Sequence, residues 1–181
     1  SGYGPTGATL ANLMGKRGYS VLVIDQESAI YDKPRAITAD QEVLRILQEF
    51  GVADEVAAAS TPHPGTDYVG LQGQVIKRFY PAPPPNALGW EPSWMFVQPD
   101  LEAVLRKALE RQPHVRSLLA HRLIGFEQDQ HTVTAQIQRL SDGELLTVRA
   151  RYAIAADGAS SFVRKQLAAP VEDLAFDEWW L

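Results

Sequence analysis

Ser1–Gly7 reads SGYGPTG, which sets Gly2, Gly4 and Gly7 in the spacing GxGxxG. In that spacing the first glycine permits a tight turn, the second lets the main chain approach a pyrophosphate, and the third lets the next helix pack close to a strand. The phosphate charge then meets a helix N-terminus, where free N–H groups and the helix dipole both favour an anion. The motif needs a helix behind it and a strand before it. A helix is expected over Thr6–Arg17, with Ala8, Leu10, Ala11, Leu13 and Met14 on a helical period, Pro5 at its first turn and Gly18 as its stop. Ser20–Asp25 (SVLVID) follows as a short apolar strand suited to a parallel sheet. Its last residue, Asp25, lies where the motif expects a carboxylate for ribose hydroxyls. The strand that should deliver the glycine turn does not precede Ser1, so the sequence is expected to be a fragment of a longer polypeptide.

Working outward, 181 residues at 45% hydrophobic suffice for one good core, or one domain and part of another. A formal net charge of −5, without basic blocks, argues against nucleic-acid and anionic-membrane partners and for small molecules. The absence of cysteine excludes disulfides, thiolate metal sites and cysteine nucleophiles, and is compatible with a cytoplasmic location. No apolar run has transmembrane length.

Beyond Asp25 a polar loop (QESAIYDKPRAIT) leads to a helix over about 39–50, with Val43, Ile46, Leu47 and Phe50 on one face and Thr38 and Gln41 in capping-box spacing. A short helix over 54–59, a break at 61–64 and two strands, 67–71 and 75–80, come next. Pro81–Pro85 (PAPPP) reads as an extended surface linker. Gln98–Arg111 is amphipathic, with Leu101, Val104, Leu105, Ala108 and Leu109 at i, i+3, i+4, i+7 and i+8. Strands are then expected over 115–119, 123–128, 132–139 and 145–150, with a hairpin turn at Ser141-Asp142-Gly143. The fold class is therefore α/β, a Rossmann-like dinucleotide-binding domain joined to an antiparallel meander rather than to repeated βαβ units.

A second motif lies in 152–164, YAIAADGASSFVR: a small apolar strand ending in Asp157-Gly158, then a serine-capped helix beginning near Phe162. Strand, Asp-Gly and helix together put a carboxylate and free N–H groups at a strand C-terminus, where open α/β sheets bind ligands.

The glycine turn, DKPRAI, QPDLEAVL, ADGASSFVR and FDEWWL, in that order, resemble the single-component FAD-dependent aromatic hydroxylases of the p-hydroxybenzoate hydroxylase fold. The resemblance implies a glutathione-reductase-type FAD-binding domain with part of an inserted substrate β-domain. It divides the chain into 1–65 and 98–170 as FAD-binding parts, 66–97 as an excursion into the substrate domain, and 171–181 as that domain's truncated start. It implies that Gly2, Gly4, Pro5, Thr6 and Gly7 hold the FAD pyrophosphate, Asp25 the adenosine ribose, and Arg35 another part of the cofactor. Gln98, which as a bare residue reads as an exposed cap, would bond the ribityl chain. Leu123 would offer backbone contacts to the adenine, and Asp157 with Gly158 belongs to the segment associated with FAD and NAD(P)H.

The activity implied is NADH- or NADPH-driven hydroxylation of a phenolic aromatic acid by O2, through a flavin C4a-hydroperoxide. The partners implied are a small aromatic substrate and O2, with a homodimer left open. Other FAD enzymes of the fold (epoxidase, halogenase, reductase) and a non-catalytic nucleotide-binding module stand as alternatives. The family's later Gly-Asp segment and most of its substrate sheet are missing, so these residues alone are not expected to enclose an active site. No general base can be named: His63, His114, His121 and His131 are scattered and read as surface or turn residues, and no metal site is suggested. Trp90, Trp94, Trp179 and Trp180 read as cover for a domain junction, with their indole N–H groups partnered.

Overall fold

The computed structural model describes residues 1–33 and 35–175. The glycine turn runs into α1 (Pro5–Lys16), and β1 (Val21–Ile24) follows as expected. β2 (Thr38–Asp40), α2 (Gln41–Glu49), α3 (Ala53–Ala58) and β3 (Thr61–Pro62) make up the next unit. The hairpin β4 (Thr66–Val69) and β5 (Val75–Phe79) precedes β6 (Ser93–Met95) and the long helix α4 (Gln98–Leu109). β7 (Val115–Leu118), β8 (His121–Gln128), β9 (Val133–Arg139), β10 (Leu145–Ala150) and α5 (Phe162–Gln166) complete the order.

β1 and β7 pair in parallel, Val21 opposite Val115 and Ile24 opposite Leu118. Their connection passes through the intervening elements and returns along α4, which packs against α1. Asn12 fastens the two helices. Fully buried, it donates from Nδ2 to the Ala8 and Leu105 carbonyls at 2.9 Å each, and its own Oδ1 accepts from Gln112 Nε2 at 3.2 Å. The core lies between these helices, the strand pair and α2–α3, built from Tyr3, Ala8, Ala11, Val23, Leu44, Leu47, Val52, Val56, Leu101, Leu105 and Leu109. Each fully buried leucine contributes about 1.5–3 kcal/mol of transfer free energy. The meander β8–β9–β10 is antiparallel, with Ile137 buried at its centre. It is anchored to the β1 side by His121 N–H on the Asp25 carbonyl (2.9 Å) and Ala120 N–H on the Glu27 carbonyl (3.1 Å).

Five expectations change. The stretch taken as loop and break carries a small antiparallel sheet in the order β2–β6–β3, with Trp94 of β6 opposite both Ala39 and Pro62. α2 is capped by Asp40, whose Oδ1 accepts from Val43 N–H at 2.9 Å, because Thr38 is engaged in β2. α2 also turns Leu44 and Leu47 inward and leaves Val43 and Ile46 exposed, a rotation of the predicted face. The 152–156 segment forms no regular strand, although its backbone is paired as described below. Trp90 donates to Gln48 Oε1 at 3.2 Å and meets Trp94 edge-on at 6.3 Å, whereas buried Trp94 Nε1 finds no acceptor among the described residues. Trp179 and Trp180 lie outside those residues. Among the described residues no helix is long and apolar enough to cross a membrane.

Candidate functional site

The turn at residues 1–3 is wedged between two segments far apart in sequence. Gly2 N–H donates to the Ile24 carbonyl at 2.8 Å on one side. On the other, the Ser1 amino group donates to the Ile154 carbonyl at 2.8 Å and Ala156 N–H donates to the Ser1 carbonyl at 2.7 Å, the slanted pattern of a parallel pair. Gly2 sits at φ +96°, and a Cβ there would overlap the Ala156 carbonyl, so only glycine lets the two strips meet. A Cβ on Gly7 would overlap the Gly2 carbonyl, which accounts for the third glycine of the motif. Gly4 differs, because nothing among the described residues lies within 4 Å of where its Cβ would be. Gly4 is also the N-cap of α1 and supplies no side-chain cap, and Pro5 carries no N–H. The first-turn N–H groups of Thr6 and Gly7 thus have no acceptor inside the helix.

Asp25 stands beside this turn. Its Oδ2 accepts from Tyr3 N–H at 2.6 Å and its Oδ1 from Glu27 N–H at 2.8 Å. Each carboxylate oxygen accepts two hydrogen bonds, so the half-buried Asp25 keeps acceptor capacity for a ligand hydroxyl. Leu123 lies on β8, two residues beyond the His121 N–H that binds the Asp25 carbonyl, next to the irregularity in the β8–β9 register between Leu123 and Gly125.

Asp157 and Gly158 follow directly on the strip that pairs with Ser1. Asp157 accepts from Ser161 Oγ at 2.6 Å and Val163 N–H at 3.2 Å, and Ser161 Oγ caps α5 by accepting from Arg164 N–H at 3.0 Å. Burial pushes the Asp157 carboxyl up, but the Ser161 and backbone hydrogen bonds outweigh it and hold the carboxyl below its ordinary value. Gly158 takes φ +75°, with no atom within 4 Å of an added Cβ. The glycine turn, Asp25 and the Asp157 strip thereby share one corner of the domain.

Gln98 is buried, not the exposed cap its position suggested; the cap position is Val97. Its Oε1 accepts from Arg35 N–H (2.9 Å) and Ala36 N–H (3.0 Å), and its Nε2 donates to Glu102 Oε1 (2.8 Å). The carboxylate can only accept, which fixes which way the amide faces. Arg35 itself is exposed, its guanidinium 4.4 Å above the Tyr31 ring.

Sequence reasoning missed two residues behind the site. Buried Glu102 is 3.6 Å from Arg106, and Arg106 donates to the Tyr3 carbonyl at 3.2 Å while its guanidinium lies 4.3 Å above the Tyr3 ring. Burial raises the Tyr3 phenol above its ordinary value, and the Arg106 charge opposes that rise. Gln98, Glu102 and Arg106 at i, i+4 and i+8 form one polar stripe on α4, a pattern legible in the sequence once the helix is placed. The four histidines stay apart: His114 bonds the Gly15 carbonyl, His121 the Leu119 carbonyl, His63 accepts from Gly65 N–H, and His131 is exposed. No group of three His, Asp or Glu side chains suited to a metal occurs among the described residues.

The 3-(3-hydroxy-phenyl)propionate/3-hydroxycinnamic acid hydroxylase of Comamonas testosteroni is 37% identical over 180 residues, covering 99% of this chain and 30% of that protein. The protein of the same name from Klebsiella pneumoniae subsp. pneumoniae is 34% identical over 180 residues, covering 99% and 32%. The chain thus spans about a third of the length of these curated relatives. Among solved structures, the flavin-dependent monooxygenase PieE in complex with FAD and substrate superposes with a TM-score of 0.81 at 29% identity, over 92% of this chain and 31% of that one. The p-nitrophenol 4-monooxygenase PnpA from Pseudomonas putida DLL-E4 has the same TM-score at 24% identity, over 92% and 42%, a likeness of fold. Residues 2–177 match the family described as FAD binding domain, which leaves almost nothing of the sequence outside the match, and the chain accordingly belongs to that family.

Proposed function

We propose that the protein carrying this chain is an FAD-dependent, NAD(P)H-consuming monooxygenase that hydroxylates a phenolic aromatic acid such as 3-(3-hydroxyphenyl)propionate, with O2 as co-substrate. The observation that carries the reading is the junction of the glycine turn with the 154–157 strip, which assembles two remote motifs into one cradle. The names of the curated relatives support the substrate class.

The residues fit the cofactor. The open space at Gly4, the uncapped N-terminus of α1 and the spare acceptor capacity of Asp25 suit a pyrophosphate flanked by a ribose. Gly2, Gly4, Pro5, Thr6 and Gly7 would hold the pyrophosphate with main-chain groups and Asp25 the ribose hydroxyls. Leu123 would lend backbone contacts to the adenine. Gln98 has its Oε1 committed to the 35–36 loop, so it would offer the ribityl chain only its second Nε2 hydrogen. Arg35, exposed at that loop, would supply a fork of donors to cofactor oxygens. Asp157 would stay ionised and hold the turn through Gly158 to α5 in place. Bound FAD would supply the electron transfer from NAD(P)H and the activation of O2. The division into 1–65, 66–97, 98–170 and 171–181 belongs to the same proposal; among the described residues β4 and β5 pair with each other and with no other strand. So does a cytoplasmic location, with which a cysteine-free chain is compatible.

The test is NAD(P)H oxidation stimulated by phenolic acids and coupled to a hydroxylated product. Oxidation that yields peroxide alone across a panel of such acids would refute the hydroxylase reading.

A further inference from the structure

A buried carboxylate costs several kcal/mol unless partners compensate its charge. Glu102, 4% exposed, has two: the Gln98 amide at 2.8 Å and the Arg106 guanidinium at 3.6 Å. The pair lies at the centre of a longer chain of contacts. At one end Gln98 Oε1 gathers the N–H groups of Arg35 and Ala36. At the other, Arg106 bonds the carbonyl and covers the ring of Tyr3, the residue between Gly2 and Gly4, whose own N–H goes to Asp25. One inward stripe of α4 therefore connects the Arg35 loop, the glycine turn and Asp25, segments that local sequence leaves independent.

We propose that Glu102 and Arg106 are positioning residues of the FAD cradle, acting through Gln98 and Tyr3 to hold the 35–36 loop and the glycine turn at a fixed separation. The inference rests on the proposed cofactor role of the site and adds residues that act behind it. Chemistry explains why an acid is needed at 102. Glu102 only accepts, so it draws the Gln98 amino group to itself and leaves Oε1 for the loop. A glutamine there can also donate, so Gln98 can turn over and present its amino group to the Arg35 and Ala36 N–H groups, which repels the loop. Arg106 supplies the opposite charge beside Glu102 and a planar fork that bonds and stacks at once, which a lysine cannot reproduce.

The experiment titrates FAD into the apo form of the whole protein that carries this chain, following flavin fluorescence, for wild type, E102Q, R106K, Q98A and the Q98A/E102Q pair, with urea unfolding of each apoprotein alongside. Both conservative variants nearly keep side-chain volume; R106K retains the ion pair, whereas E102Q leaves the part-buried Arg106 without its carboxylate, a stability cost that the urea series reads separately from Kd. E102Q and R106K should each weaken FAD binding about 10-fold, and E102Q should add little in the Q98A background, since coupled residues are non-additive. A merely structural role predicts a lower urea midpoint with an unchanged Kd, and that result overturns the proposal. Full additivity of Q98A and E102Q overturns it as well. A wild-type protein that takes up no FAD refutes the functional reading and this inference with it, whereas wild-type binding with unchanged variants refutes the inference alone.

Discussion

Replacing Gly4 with alanine separates the two purposes a glycine can serve in this turn. Gly4 has φ −70° and ψ −173°, a conformation open to alanine, and a new methyl group meets nothing within 4 Å. Alanine is a poorer N-cap than glycine by some tenths of a kcal/mol, and it lowers the entropy of the unfolded chain by about 0.4–1 kcal/mol. These effects oppose each other, so G4A should leave apoprotein stability within about 0.5 kcal/mol of wild type. The methyl group would, however, stand in the space a pyrophosphate must enter. Overpacking of that size costs about 1–3 kcal/mol, or about 5- to 150-fold in Kd. Gly2 supplies the contrast. There a side chain meets both a positive φ, costing about 1–2 kcal/mol, and the Ala156 carbonyl, costing a further 1–3 kcal/mol or so. G2A should therefore lose about 2–5 kcal/mol of folding stability. Urea unfolding of the apoproteins and FAD titration by flavin fluorescence measure both quantities. A G4A protein that binds FAD with wild-type affinity, or loses as much stability as G2A, would refute the assignment of the open space to the phosphates.

Asp25→Ala should weaken FAD binding by about 1–3 kcal/mol through loss of a charged acceptor, and isothermal titration showing unchanged affinity would remove Asp25 from the site. Because the folded Asp157 carboxyl is held below its ordinary value of 3.8, its contribution is complete above that value and disappears as the pH falls through the folded value. The stability advantage of wild type over D157N should accordingly shrink on acidification through about pH 4, as read by unfolding at a series of pH values; a pH-independent difference would contradict the hydrogen-bonded ionised state. Leu44→Ala, at a site 1% exposed, should cost about 2–5 kcal/mol in urea unfolding, whereas Ile46→Ala, on the exposed side of α2, should cost well under that.

What the sequence discloses follows the length of its patterns. α1, β1, α4 and the meander carry enough periodic apolar residues to be read directly, whereas the contact of Asp25 with Tyr3 N–H emerges only in the structure. β2, β3 and β6 are two or three residues long, too short for any alternation to register, and their pairing depends on Trp94 reaching two partners remote in sequence. α2 and its C-cap Phe50 carry Val43, Leu44, Ile46, Leu47 and Phe50, more apolar residues than one stripe needs, so periodicity permits two faces and only packing selects Leu44 and Leu47. Glu102 reads from sequence as an ordinary solvated helix acid. Its burial is a tertiary fact, set by Gln98 and Arg106 one turn to either side and by Tyr3 brought in from the glycine turn.

The hydrogen bond from Ser1 to Ile154 joins residues 153 positions apart. Closing so long a loop costs on the order of 4 kcal/mol in chain entropy, and nothing local offsets it. During synthesis the glycine turn must wait for its neighbour to leave the ribosome some 150 residues later. A nucleotide held by both strips would then act as a late fastener, adding its binding free energy to a junction that forms only once both are present.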